Sequence, residues 1–296
     1  MPGLPILCGE TPPDLSIAIQ EHRPTWLQQR PEDSAPPIYS SPFRTADGTS
    51  LLRVWTDGRG STFRLVQPDG TEYLVDRSGT HIWMPGSPGD RFEFLLSFVL
   101  AFVLRLRGIV CLHASVVAVR EQAIALAGPP GAGKSTFAVA LGKRGSLVLT
   151  DDVAAVGRSE GHFYIDPGPA RVSPRSLTSG VPGGWTVLDL PHGDVRHGSE
   201  RTPLGSICFL EASTAPDLRI DPVSASDGMI RLIGETWAGR LQNRMQRAQE
   251  FEELSRLVLD VPLWRLSYDP AVQDLEPACE LIEQTVHSTT ELHFVP

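Results

Sequence analysis

Between residues 51 and 84, apolar and polar positions alternate in short runs. Leu51–Thr56, Ser61–Gln67 and Thr71–Val75 carry the period of half-buried strands, with Asp57-Gly58 and Asp69-Gly70 between them as turns. A small antiparallel unit is expected there, too small to bury much by itself. Phe94–Leu104 is different, eleven nearly unbroken apolar residues closed by Arg105 and Arg107. A membrane span needs about 20 such residues. This run therefore predicts a buried helix linking two parts of the protein.

From Ile109 onward the pattern is that of an α/β core. Leu112–Val119 reads as a strand, Arg120-Glu121-Gln122 as its turn, and Ala123–Ala127 as the strand that returns. Ser135–Leu141 is helix-like and meets Gly142 and Gly145, either of which suits a C-terminal cap. Ser146–Thr150 has the length of a buried strand and ends in Asp151-Asp152. Phe163–Ile165, Ile207–Leu210 and Pro262–Tyr268 are later strands, and Asp227–Leu259 and Ala271–His287 have helical period. Pro167-Gly168-Pro169 and Gly180–Gly184 are loops. Residues 1–48 are proline-rich and weakly periodic, and predict an extended lead-in with a short helix near Leu15–His22. Three parts follow: a lead-in over 1–48, a small β-rich unit with its linking helix over 49–108, and a core over 109–290.

The turn between the returning strand and the helix carries chemistry. Gly128-Pro129-Pro130-Gly131-Ala132-Gly133-Lys134-Ser135 spells G-x-x-x-x-G-K-[ST], and Thr136 follows. Glycines at these places let successive backbone N–H groups face one anion. Lys134 then reaches the outer phosphates of a nucleotide, and the Ser135 hydroxyl serves Mg²⁺. The helix N-terminus adds partial positive charge beneath them. The chain has two lysines, Lys134 and Lys143, against 24 arginines, so one of two sits in the motif.

Composition narrows the partners. A net charge of −9 argues against nucleic acid, and ATP, itself an anion, must be met by a local positive field. Cys8, Cys111, Cys208 and Cys279 are scattered without a C-x-x-C pair, and no secretory leader is visible. Free thiols in a reducing cytoplasm are expected, with no membrane association. The eight histidines show no zinc spacing.

Asp151 and Asp152 end the strand after the motif helix. Neighbouring strand residues face opposite sides, so one carboxylate can meet a metal while the other meets an incoming nucleophile. His113, on the strand before the hairpin, is by spacing alone a hydrogen-bonded core histidine.

Taken together, Leu112–Val117, Gly128–Thr136 and Arg144–Asp152 resemble the catalytic core of the HPr serine kinase family, in the phosphoenolpyruvate carboxykinase-like branch of phosphate-loop folds. The shared order is a histidine-bearing strand, a hairpin, the phosphate loop, an arginine-glycine, and a strand ending in paired aspartates. The resemblance is firm over about 109–156 and general over 157–290. It implies a mixed sheet and an ATP- and Mg²⁺-dependent kinase acting on a serine hydroxyl of a peptide or small protein. Asp151 would activate that hydroxyl as base, and Asp152 with Ser135 would serve Mg²⁺. Lys134 would hold the β- and γ-phosphates, His113 would lie close to the reacting phosphate, and Arg171 is the first candidate to steady transferring charge. Self-association is implied too, and the edge of the 51–84 strands offers a second route to it.

The likeness has limits. The second loop that supports the reverse phosphorylase reaction is missing, and residues 1–108 do not resemble the usual regulatory domain. The chain is closer to the short HPr-kinase-related proteins of peptide-modification gene clusters, including lasso-peptide tailoring kinases. It is too short for a phosphoenolpyruvate carboxykinase and shows no His/Lys/Asp manganese set. A kinase of a small molecule such as free serine, or a nucleotide-dependent binding protein without transfer activity, fits the same loop.

Overall fold

The computed structural model describes residues 35–57, 59–85, 94–172, 188–213, 218–237, 239–241, 243–272 and 274–292. For residues 16–19, 188–189, 240 and 286–292 it describes the backbone. The Gly180–Gly184 loop and Cys8 lie outside these residues. The chain divides into two compact units, Met1–Leu95 and Leu96–Pro296.

The first unit is built on a six-stranded sheet in the order β1-β6-β5-β4-β3-β2. Its strands are β1 (Ser16–Ile19), β2 (Tyr39–Ser40), β3 (Arg53–Thr56), β4 (Thr62–Val66), β5 (Glu72–Asp76) and β6 (His81–Met84). The three expected strands are present, and the hydrophobic run at 81–84 adds a fourth. Ser16–Ile19, expected within a short helix, is instead a strand running parallel to β6. Its apolar residues find a partner edge that local spacing cannot reveal. All other neighbours are antiparallel. Val54, Leu65, Tyr73, Leu74, Val75, Ile82 and Met84 are fully buried in this unit.

A wide π-turn segment, Leu95–Val99, starts at the last residue of the first unit and tightens into α1 (Leu100–Leu106) of the second. The mixed sheet follows. β7 (Val110–Leu112) and β8 (Ala114–Val119) are separated at His113, where one continuous strand is expected. β9 (Gln122–Ala127) returns antiparallel to β8 through Arg120 and Glu121, both at positive φ, the hairpin turn that matches strand twist. α2 (Lys134–Lys143) and β10 (Leu147–Thr150) come next, then β11 (Ala154–Ser159) and β12 (His162–Asp166). A two-stranded ribbon joins β13 (Arg171–Val172) to β14 (Leu188–Asp189). The chain continues through β15 (Arg196–His197), the long β16 (Thr202–Ala212) and β17 (Arg219–Pro222). It ends with α3 (Ala225–Gly234), α4 (Arg244–Asp260), β18 (Leu263–Tyr268) and α5 (Glu276–Leu292).

Strand order is β15-β10-β8-β9-β16-β12-β11-β7, with β18 beside β16 and β17 beside β18. β16 runs parallel to β9 and β18 but pairs antiparallel with β12 at its first two residues. That change of partner along one strand curls the sheet. Alternation then splits the core in two. Ala114, Val116, Ala123, Ala125 and Ala127 face Leu232, Leu254 and Leu257 of α3 and α4. Val117, Ile124 and Leu126 face Phe137 and Leu141 of α2, and Cys279 and Ile282 of α5. Helices thus cover both faces, and strands buried on both sides read as unbroken apolar runs. The helical stretch expected over Asp227–Leu259 is two helices. Gly234 ends the first, and an Asn243–Gln246 capping box starts the second.

Burial pushes the thiols of Cys111 and Cys208 up to about 12 and that of Cys279 to about 11, and all three are free. Among the described residues no helix is long and apolar enough to cross a membrane.

Candidate functional site

β9 delivers the chain into the glycine-rich loop and α2 carries it away. Gly128 has φ 148°, and a Cβ there would come within 2.8 Å of the Leu210 carbonyl. Gly133 has φ 80° and closes against Tyr268, whose hydroxyl would lie 3.0 Å from a Cβ. The same hydroxyl donates to the Ala132 carbonyl at 2.9 Å, and the Tyr268 ring stands edge-on to Phe137. Gly131 is also at positive φ, and Pro129, Pro130 and Gly131 are exposed. A side chain at Gly128 would collide with the β16 backbone, and one at Gly133 would press on the Tyr268 hydroxyl from left-handed backbone.

Lys134 is the first residue of α2 and is buried. Its Nζ donates to the Gly128 carbonyl at 2.7 Å, so the lysine bridges its own loop. Burial pulls its pKa down, while Glu235, Asp152 and Asp151 push it back up. One ammonium is thus held among three carboxylates. Ser135 and Thr136 follow on the first turn of α2, both half-buried.

The two aspartates are separated by the turn they form. The β10–β8 pairing shifts register between Val148 and Thr150, and the Thr150 hydroxyl donates to the Val153 carbonyl at 2.8 Å. Asp152 sits at φ 74°, an unusual conformation for a residue with a side chain. Asp151 accepts from Ser135 Oγ at 3.0 Å and from Ser115 Oγ. Asp152 turns the other way, with Oδ1 3.0 Å from His113 Nε2. The expected separation of the carboxylates is present. The expected pairing of Ser135 with Asp152 is not: Ser135 bonds Asp151 instead, while both carboxylates act on Lys134.

His113 follows β7 and is not a core histidine, its side chain being one-quarter exposed. Arg171, the first candidate to steady transferring charge, lies on β13 in the β13–β14 ribbon.

Four further residues belong to this cluster. Ser115 is the one hydroxyl on an otherwise apolar strand, and that interruption is a legible signal. Glu235 and Trp237 lie just after α3, where Gly234 and Gly239 break the helical period. Tyr268 closes the Pro262–Tyr268 strand, and nothing local marks it. Trp237 Nε1 donates to the Asp152 carbonyl at 2.6 Å, and its ring lies 5.0 Å from that of His113.

No protein-family model matches the chain, and no curated protein matches it. Among solved structures it is similar to the HPr(Ser) kinase/phosphatase from Coxiella burnetii. The overlap has a TM-score of 0.34 at 14% identity, covering 62% of this chain and 97% of that one. An overlap that loose transfers no residue's role.

Proposed function

We propose that this protein is a kinase that transfers the γ-phosphoryl group of ATP to a serine hydroxyl on a peptide or small protein. The observation that carries the reading is the division of the two aspartates, Asp151 on Ser135 of the glycine loop and Asp152 on His113. Phosphoryl transfer needs the phosphates neutralised on one side and a hydroxyl relieved of its proton on the other.

The residues fit a nucleotide with Mg²⁺. Pro129, Pro130 and Gly131 of the glycine loop are exposed to an approaching phosphate, and Ser135 with Asp151 forms a hard oxygen donor set. Bound there, Mg²⁺ would draw charge from the transferring phosphoryl group. Lys134 holds the outer phosphates by exchanging its bond to Gly128. The His113–Asp152 pair takes the hydroxyl proton. The acceptor oxygen bonds to the γ-phosphorus as the bond from that phosphorus to the bridging oxygen breaks, and the electron pair leaves with the nucleoside diphosphate. The resemblance assigned the aspartates the opposite way. The geometry supports Asp151 for the metal and Asp152 for the proton.

The test incubates the protein with Mg–ATP and three acceptors: a serine-bearing peptide encoded beside its gene, an HPr-type protein, and free serine. Mass spectrometry reads phosphate gain, expected on the peptide. Gain on free serine alone makes this a small-molecule kinase. Nucleotide binding with no gain on any acceptor makes it a nucleotide-dependent binding protein.

A further inference from the structure

We propose that Glu235 is a positioning residue of the nucleotide site, a third carboxylate that restrains nucleotide affinity and orients His113 toward Asp152. The transfer half of this inference rests on the kinase reading, and the affinity half does not.

Glu235 caps the C-terminal end of α3, where helix carbonyls add further negative potential. Its backbone is tied down: the His113 N–H donates to the Glu235 carbonyl at 2.6 Å. Thr236 bridges Leu112, and the Trp237 N–H donates to the Cys111 carbonyl at 3.0 Å. The segment therefore lies along β7 and holds the Glu235 side chain in the site. That side chain is 13% exposed, with Oε2 3.9 Å from His113 Nδ1. The opposite ring nitrogen, Nε2, faces Asp152. His113 is thus a ring between two carboxylates, one at each nitrogen.

The other neighbours of Glu235 are the Gly128 N–H and Lys134. Burial raises the pKa of its carboxyl, while Lys134, His113 and the Gly128 N–H pull it back. Gly128 begins the phosphate loop, so this charge stands where anionic phosphates approach. A carboxylate there opposes the nucleotide. Its return is the orientation of His113, and without nucleotide it gives Lys134 a counter-charge.

Glu235→Gln keeps the shape and the acceptor for Gly128 but removes the charge. Calorimetry with Mg–ADP should show binding about tenfold tighter. Turnover at saturating Mg–ATP should fall about tenfold or more, since His113 loses the charge opposite Asp152. Glu235→Asp should bind Mg–ADP like wild type and recover part of kcat. Affinity and kcat moving in opposite directions is a result that local unfolding cannot give, and thermal melts check the fold of both variants. Unchanged or weaker Mg–ADP binding in folded Glu235→Gln overturns the affinity role. An unchanged kcat overturns the positioning role. If wild-type protein transfers phosphate to no acceptor, the kinase reading fails while the Mg–ADP measurement still decides the affinity role.

Discussion

The indole N–H of Trp237 donates to the carbonyl of Asp152 across 2.6 Å, and Asp152 is held there at φ 74°. A left-handed aspartate at the end of a strand persists only where its surroundings over-determine it. Trp237 supplies part of that restraint, wedged between the rings of His113 and Phe98. Trp237→Phe keeps the ring packing and removes the donor. An unpaired carbonyl costs about 1–3 kcal/mol. Steady-state kinetics should show kcat reduced about tenfold with nucleotide affinity little changed. An unaltered kcat would separate Trp237 from the positioning of Asp152.

Lys134→Ala removes the cation proposed to meet the phosphate oxygens and should weaken Mg–ATP binding at least tenfold, about 1.4 kcal/mol or more. Stability should fall as well, because Lys134 is the buried counter-charge of Glu235, Asp152 and Asp151 and its removal leaves them uncompensated. Calorimetry and a thermal melt measure both. Full nucleotide affinity in this variant would remove the glycine loop from the function.

The aspartates should separate by phenotype. Asp152→Asn should bind Mg–ATP nearly as wild type and lose about 10²–10⁴ in transfer rate. Asp151→Asn should weaken Mg²⁺-dependent nucleotide binding about tenfold, because it strips charge from the Ser135 side of the loop. Magnesium titrations of binding and turnover distinguish the two. The reverse pattern would restore the roles that the family resemblance implies.

Asp76 organises the β5–β6 turn independently of the site. Its Oδ1 accepts from the Thr80 and His81 N–H groups at 2.8 Å each, and its Oδ2 from the Ser78 and Thr80 hydroxyls. Burial pushes its pKa up, but these bonds outweigh that and hold it below the ordinary 3.8. A depressed folded pKa contributes stability above the unfolded value, and that stability is lost as pH falls through the folded value. Asp76→Asn should therefore be destabilised at pH 7 by about 1–3 kcal/mol. In thermal melts the gap should start to close as pH falls below about 4 and vanish only below the depressed folded value. A constant gap down to pH 2 would rule out the ionised carboxylate as its source.

Much of this architecture is legible before folding. The 51–84 strands declare themselves by period and by Asp-Gly turns. Ala123–Ala127 and Leu147–Thr150 declare themselves as short apolar runs next to the glycine loop. Gly128, Gly133, Lys134 and Ser135 are recognisable because backbone geometry and phosphate chemistry each demand one residue type at one spacing. Strand alternation also predicts that Asp151 and Asp152 part company. All of these are local, set by a few consecutive residues.

What the tertiary structure decided is non-local. Ser16–Ile19 became a strand because β6 offered it an edge. Which aspartate met Ser135 depended on the register shift in β10 and on the positive φ of Asp152, and alternation alone does not set that sign. His113 acquired a carboxylate at each ring nitrogen from Asp152, 39 positions onward, and Glu235, 122 positions onward. No spacing rule links residues so far apart. They meet because β7 accepts the segment after α3 along its free edge and β10 ends beside α2. The sequence by itself determined that a glycine-rich loop leads from a buried strand into a helix, and what that loop is made of. Only the folded sheet decided which charges surround it.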